Sequence, residues 1–192
     1  MPMINFDMIV KLAASMKNEY ERYTPEQCIL QEGIQLLRLS MGDYEGALKG
    51  FIQKNSQCHT IVVNSDLSDF AQDKVMIHEL SHYKLGHTRK IRRGCLPDTS
   101  FAYRRDVTYK AHLENEANFL AAEYMLDTDE TLEAIHQYDL GSAARILRTP
   151  LEFLDYKLRL LHHTKRLETY RDCFSIGSDC LLKMKADGII ID

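Results

Sequence analysis

The sequence has no long apolar run and no excess of basic residues. Its 192 residues contain no apolar stretch of about 18, the length that a membrane-spanning helix needs. Lys and Arg total 24 against 28 Asp and Glu, a formal net charge of −4, whereas a protein that binds polyanions through bulk charge is basic. The first seven residues also lack a basic region followed by an apolar stretch. We therefore expect a cytoplasmic protein with no signal peptide, no membrane span and no direct binding to nucleic acid.

Cysteine is scarce, and its spacing shows no pattern. The chain has five cysteines, and no two of them form a Cys-x-x-Cys pair. A disulfide framework normally has more cysteines in a shorter secreted chain, and a structural zinc knuckle needs cysteines at paired spacing. We therefore interpret these side chains as reduced thiols: Cys28, Cys58, Cys95, Cys173 and Cys180.

Repeats and low-complexity segments are absent too, and only 4 prolines interrupt the chain. Hydrophobic residues make up 45% of the chain and charged residues 27%, as in ordinary globular proteins. A chain of this length can bury a substantial core within a single domain. We therefore expect one domain over residues 1–192.

Hydrophobic periodicity predicts an α+β fold that is mostly helical, with one small antiparallel sheet. The sheet is expected from two short β-branched and apolar segments at residues 48–52 and 60–63, separated by a turn at residues 54–57. The expected helices are residues 4–20, a helix that begins with a capping box at Thr24, residues 69–85 closed by Gly86, residues 112–126, and three more that begin near residues 128, 142 and 150.

Residues 78–82 read His-Glu-Leu-Ser-His and lie on the helix predicted over residues 69–85. A separation of four places both imidazoles on one helix face, so that His78 and His82 can bind one metal ion. Glu79 projects about 100° away from His78 around the helix, close enough to contact water at the metal without ligating it. Zinc lowers the pKa of its water from about 15.7 to about 7, and a glutamate can take the proton as that water attacks a carbonyl. The motif therefore predicts a zinc hydrolase.

A catalytic zinc site needs a third protein ligand and leaves one position open for water. His87 is the nearest further histidine, but Gly86 is expected to end the helix before it, so we interpret His87 as a helix-terminal residue near the site. Glu114 and Asn118 share a face of the helix at 112–126, where one can ligate zinc while the other hydrogen-bonds a ligating imidazole. Glu116 lies about 200° around that helix from Glu114, so both cannot face one metal. We assign Glu114 as the third ligand and keep Glu116, otherwise expected to be a solvated surface carboxylate, as the alternative.

The segment that joins the two predicted metal-binding helices, residues 84–110, is basic. It holds eight Lys and Arg against two Asp, a local net charge of +6, and we expect a loop over residues 89–109. Such a loop suits an acidic substrate segment, although a merely solvated loop has the same composition. The oxyanion of a tetrahedral intermediate needs a hydrogen-bond donor. Four residues in or beside this segment remain open as that donor: Tyr103, Tyr109, His112 and His87.

Residues 141–160 contain a short helix, a break and another helix, an order similar to a helix-turn-helix. A helix that reads DNA offers basic or amide side chains near its start. The second helix instead begins with Pro-Leu-Glu-Phe-Leu-Asp at residues 150–155. We therefore interpret it as a packing element.

Three motifs occur in order along the chain. Residues 61–64 read Ile-Val-Val-Asn, the HExxH motif follows at 78–82, and residues 114–126 read Glu-Asn-Glu-Ala-Asn-Phe-Leu-Ala-Ala-Glu-Tyr-Met-Leu. Together they resemble the ImmA/IrrE family of zinc metallopeptidases from bacteria, phages and integrative elements, over residues 42–161. The sequence departs from the family pattern at Ser81, where the family usually has glycine, and at residues 126–127, where Leu-Asp replaces Met-Pro.

The resemblance implies that His78, His82 and Glu114 bind zinc and that Glu79 is the general base. It also implies an intracellular, site-specific endopeptidase whose substrate is a helix-turn-helix repressor of a phage, mobile element or stress regulon. A metal-stabilised protein that inactivates a repressor or toxin-like partner by contact is the alternative, since the same site would hold two helices together. The domain then divides as follows: N-terminal helices at 1–40, the sheet and zinc-binding core at 42–126, and C-terminal helices at 127–192.

Overall fold

The computed structural model describes residues 4–55, 57–90 and 104–167. Within these ranges the chain forms eight helices and a three-stranded sheet, which confirms the predicted α+β class. The helices are α1 (Phe6–Glu19), α2 (Pro25–Gln31), α3 (Asp69–Lys84), α4 (His87–Lys90), α5 (Arg104–Met125), α6 (Thr128–Gln137), α7 (Leu140–Ile146) and α8 (Leu151–His163). The strands are β1 (Gln35–Leu39), β2 (Gly50–Lys54) and β3 (His59–Asn64). Among the helices of the described residues, none combines the length and the apolar character that crossing a membrane requires.

The sheet has the strand order β1-β3-β2. β2 and β3 are antiparallel, as predicted, with Ile52 opposite Ile61. β1 pairs with the other side of β3 in parallel, so the sheet is mixed. The sequence patterns did not predict β1, because its Gln-Leu-Leu-Arg-Leu segment consists of good helix formers and most of its side chains are exposed. Neither strand propensity nor an alternation of buried and exposed residues marks it.

The helix termini follow the local chemistry of the sequence. The capping box of α2 is confirmed: the N–H of Gln27 donates to Thr24 Oγ1 at 3.3 Å, and the N–H of Thr24 donates to Gln27 Oε1 at 2.9 Å. Asp127 caps α6, the helix that was predicted to begin near residue 128. The predicted loop over residues 89–109 is wrong at both ends, since α4 extends to Lys90 and α5 begins at Arg104. Residues 91–103 of that loop lie outside the described residues.

The described residues divide into two compact units, residues 16–117 and residues 4–15 with 118–167. The division of one domain into three parts stays a prediction. In the first unit, α3 packs against β2 and β3. Gly50 permits this approach, because a Cβ atom there would lie 2.8 Å from the Val62 carbonyl oxygen and would collide with Val75 of α3. The missing side chain at this position therefore lets β2 lie directly against the helix that carries the HExxH motif.

Asn64 ends β3 and is fully buried. Its side-chain oxygen accepts hydrogen bonds from the backbone N–H groups of Met41 at 3.1 Å and Asp66 at 3.0 Å. Its side-chain nitrogen donates to the carbonyls of Gly42 at 2.7 Å and Leu48 at 3.1 Å. The whole hydrogen-bonding capacity of the amide is thus used. Asn64 therefore fastens the segment between β1 and β2 to the end of the central strand.

The second unit contains a buried ion cluster beside an apolar core. Leu154, Leu158 and Leu161 of α8 belong to that core, which confirms the interpretation of this helix as a packing element. Lys157 of the same helix is fully buried and donates to Glu123 Oε2 at 2.7 Å. Arg166 Nη1 donates to the other oxygen of Glu123, also at 2.7 Å. Burial raises the pKa of Glu123, but the pairing with Arg166 and Lys157 outweighs burial and holds that pKa below its ordinary value.

We expect Glu123→Gln to reduce the free energy of unfolding by about 3–5 kcal/mol, because the substitution leaves the buried Lys157 ammonium without its carboxylate. Asp155→Asn is the matched control. Asp155 is half-buried, but its partner Arg159, at 2.9 Å on α8, is exposed, so this pair should contribute less than about 1 kcal/mol. Urea denaturation followed by circular dichroism measures both. Equal losses in the two variants would contradict the role of the buried cluster.

Candidate metal site

Helix α3 positions the two histidines of the HExxH motif. The helix begins after Ser68, whose hydroxyl accepts a hydrogen bond from the N–H of Ala71 at 3.4 Å. It ends where Gly86 adopts a left-handed conformation with φ +67°, which glycine takes at little cost. Both boundaries are as predicted. One helical turn apart on this helix, the Nε2 atoms of His78 and His82 lie 3.1 Å from each other.

Glu114 on α5 completes a triangle with these two nitrogens. Its Oε2 atom lies 3.2 Å from His78 Nε2 and 3.4 Å from His82 Nε2. A tetrahedral zinc ion with ligand distances of about 2.0–2.1 Å holds its ligand atoms about 3.3–3.4 Å apart. The chemistry and spacing of this donor set therefore fit a zinc ion with one coordination position left open. Within the part of the chain that the structure describes, these side chains form the one group of His, Cys, Asp or Glu that could hold a metal ion.

The protonation of Glu114 is controlled by the two histidines. Burial raises the pKa of its carboxyl, but hydrogen bonds with His78 and His82 and their charges act more strongly in the opposite direction. The pKa of Glu114 therefore lies well below the ordinary range of a glutamate. An ionised carboxylate is the form that a metal ligand requires.

Glu79 is buried, with 7% of its surface exposed. Burial raises the pKa of its carboxyl, against the opposing effects of His78 and His82. The backbone N–H of Ile52 on β2 also acts on this carboxylate and lowers its pKa. The Glu79 carboxylate therefore lies close enough to β2 and to the three ligand atoms for their charges to act on it. Its assignment as general base stays a prediction.

Glu116 was expected at the surface, and this expectation is wrong. The residue is buried, with 8% of its surface exposed, and Oε2 lies 3.2 Å from His87 Nε2. Its oxygens are not part of the metal-facing triangle, in agreement with its position about 200° around α5 from Glu114. A surface carboxylate was the simplest interpretation of a glutamate on the far side of the helix, because the sequence does not show which residue covers that side.

His87 lies at the start of α4, directly after the turn at Gly86. The ring is fully buried, and its Nδ1 lies 2.9 Å from His82 Nδ1, the ring nitrogen that faces away from Glu114. His87 is thus a helix-terminal residue near the site, as predicted, and it is not one of the three metal-facing side chains. No sequence pattern indicated the contact between His87 and His82, because this contact depends on the chain reversal at Gly86.

The remaining site predictions have different outcomes. Tyr103 lies outside the described residues, Tyr109 is 40% exposed, and His112 Nε2 lies 3.6 Å from Glu116 Oε1. The choice of an oxyanion donor therefore stays a prediction. Asn118 forms a hydrogen bond with the Tyr156 hydroxyl, and its expected bond to a ligating imidazole stays a prediction.

The basic segment and the cysteines are described only in part. Lys84 forms ion pairs with Glu32 at 2.8 Å and Glu19 at 3.2 Å, so its positive charge is paired within its own unit. Much of the segment, including residues 91–103, lies outside the described residues. Cys28 and Cys58 are not joined in a disulfide, and the other three cysteines also lie outside.

One comparison with known proteins gives a match. A peptidase family model described as the IrrE N-terminal-like domain matches residues 30–159, which is more than half of the chain. The matched range contains all three strands, α3 and α5, and therefore both sides of the candidate site. A search of curated proteins gives no match to the chain. We conclude that this chain belongs to the IrrE N-terminal-like family of metallopeptidases.

Proposed function

We propose that the protein is a zinc-dependent, site-specific endopeptidase of the cytoplasm. The observation that carries this proposal is the triangle of ligand atoms from His78, His82 and Glu114, with edges of 3.1–3.4 Å. The buried Glu79 carboxylate follows the first of these ligands in the chain. Two imidazoles and one carboxylate around an open position are the ligand set of a hydrolytic zinc site rather than of a closed structural one.

The residues of the site divide the chemistry between them. Zinc bound here would supply a Lewis acid that polarises the substrate carbonyl and lowers the pKa of water. His78, His82 and Glu114 hold the ion on two helices of one unit. Glu79 accepts the proton of the attacking water and delivers it to the leaving nitrogen. The N–H of Ile52 favours the ionised form of Glu79, which is the form that accepts a proton.

The substrate that we propose is a helix-turn-helix transcriptional repressor of a phage, mobile element or stress regulon. Membership in a metallopeptidase family supports a protein substrate. The repressor itself is proposed from the resemblance of the three ordered motifs to the ImmA/IrrE family.

Removal and return of the metal should switch the activity off and on. We expect purified protein to carry about one zinc per chain and to cleave a helix-turn-helix protein encoded beside its gene at one peptide bond. A chelator should stop the cleavage and added zinc should restore it, because the site needs the ion as Lewis acid. Mass spectrometry of the partner identifies the fragments, and circular dichroism checks that the metal-free protein stays folded. Cleavage that continues in the fully metal-free protein would contradict the proposal.

A second function is favoured by the way the ligands are distributed. His78 and His82 lie on α3 and Glu114 on α5, so a bound ion would also join two helices and stiffen this unit. The protein would then inactivate its partner by contact, without proteolysis. An intact partner that loses its DNA binding in the presence of zinc-loaded protein would favour this function over the peptidase.

A further inference from the structure

We infer that His87 and Glu116 are positioning residues of the metal site and act through a hydrogen-bonded relay that ends on His82. The inference rests on the proposed zinc site and adds two residues that do not touch the ion. All members of the relay belong to the same unit, and they come from α3, α4 and α5.

The relay consists of two close contacts, and its residues are shielded from solvent. His82 Nδ1 lies 2.9 Å from His87 Nδ1, and His87 Nε2 lies 3.2 Å from Glu116 Oε2. The exposed fractions of His82, His87 and Glu116 are 1%, 0% and 8%. Water therefore does not compete for these hydrogen bonds, and a mismatch of donors and acceptors inside the relay would be costly.

One arrangement of protons satisfies every link. The Nε2 atom of His82 faces Glu114 and His78, so a lone pair must lie there when a metal binds, and the proton of His82 must be on Nδ1. That N–H donates to His87 Nδ1, which must accept. The remaining ring proton of His87 is then on Nε2 and donates to the Glu116 carboxylate, which can only accept. The relay therefore selects the tautomer of His82 that offers Nε2 to the ion.

Helix α5 contributes two residues to the site, one directly and one through His87. Glu114 faces the ligand triangle directly, while Glu116, about 200° further around α5, reaches the site through His87. The left-handed turn at Gly86 brings His87 back against His82. His112 Nε2 lies 3.6 Å from the second oxygen of Glu116, which is beyond hydrogen-bond distance.

Loss of the relay should weaken zinc binding, because a ligating imidazole without its outer partner is free to rotate or to change tautomer. Removal of such outer partners typically costs about 10–100-fold in metal affinity. We expect this loss for His87→Phe, which keeps a ring but offers no ring nitrogen, and for Glu116→Leu, which removes the terminal acceptor. Glu116→Gln keeps an acceptor oxygen and should restore most of the affinity.

The test is the dissociation constant of zinc, measured by competition with a chromophoric chelator, and it requires no substrate. His59→Phe is the control, because His59 Nε2 bonds Thr88 Oγ1 of α4 at 3.1 Å but does not belong to the relay. This control should bind zinc like the wild type. Circular dichroism of the metal-free variants checks that each is folded, and if His87→Phe does not fold, the two Glu116 variants decide.

The possible results distinguish a failure of the relay proposal from a failure of the proposed zinc site. Zinc binding by the wild type with unchanged affinity in His87→Phe and Glu116→Leu would overturn the relay and leave the proposed function standing. Equal weakening in Glu116→Leu and Glu116→Gln, or in the His59→Phe control, would also overturn it, because packing of α4 and α5 would then explain the loss. Absence of zinc binding in the wild type would overturn both proposals.

Discussion

Replacement of Glu79 by glutamine should lower the rate of substrate cleavage by about 100- to 10,000-fold, the usual contribution of a general acid–base residue. Glutamine keeps the length of the side chain, but it cannot take up a proton. The zinc content should stay at the wild-type level, since Glu79 is not one of the three metal-facing residues. Single-turnover cleavage of the partner protein, together with metal analysis of the same sample, measures both quantities.

A matched control for this substitution is Glu133→Gln on α6, where the side chain is exposed. This control should cleave like the wild type. Full cleavage by Glu79→Gln would contradict the role proposed for Glu79. Loss of cleavage together with loss of zinc would instead mean that Glu79 supports the metal, and the proton transfers would have to be assigned to another residue.

Replacement of Glu114 by alanine should have the largest effect on the metal. The substitution removes one of the three ligand atoms. The two imidazoles on α3, whose Nε2 atoms lie 3.1 Å apart, then have no carboxylate from α5 beside them. We expect the zinc affinity to fall by more than about 100-fold, which exceeds the usual loss from an outer partner. The thermal stabilisation that zinc gives the wild type should disappear as well, because a ligand stabilises only the state that binds it. Metal analysis and thermal unfolding with and without zinc measure these effects.

Glu133→Ala serves as the control for a carboxylate lost elsewhere in the chain and should keep one zinc. If Glu114→Ala retains the wild-type affinity while Glu116→Leu loses zinc altogether, the assignment of the third ligand must move to Glu116. The ligand triangle would then not be the metal-binding form of the site.

Local chemistry determined how much of the fold could be predicted. The capping box at Thr24, the cap at Asp127 and the glycine turn at Gly86 each depend on residues within a few positions, and all three are present. β1 and the first turns of α5 were missed. β1 forms a strand because it pairs in parallel with β3. No pattern within the five residues of β1 indicates that pairing.

In the candidate site too, local features could be predicted and features that depend on tertiary contacts could not. The spacing of His78 and His82 is a property of one helix, so their shared face followed from helical geometry alone. The approach of Glu114 to the two histidines depends on how α5 packs. Helical geometry showed only that Glu114 and Glu116 cannot both face one metal ion, so Glu116 stayed as the alternative third ligand. The contact between His87 and His82 depends on a chain reversal followed by burial, which no periodicity encodes.

The effect of the Ile52 N–H on the Glu79 carboxylate has a consequence for genetics. A scan that replaces each side chain by alanine removes no backbone N–H, so at position 52 it reports only the loss of a buried apolar side chain. Among the natural amino acids, proline alone deletes this donor, and in β2 it would also disturb the strand. A residue whose main chain supports the proposed proton transfer can therefore pass through a complete mutational survey recorded as an ordinary core position.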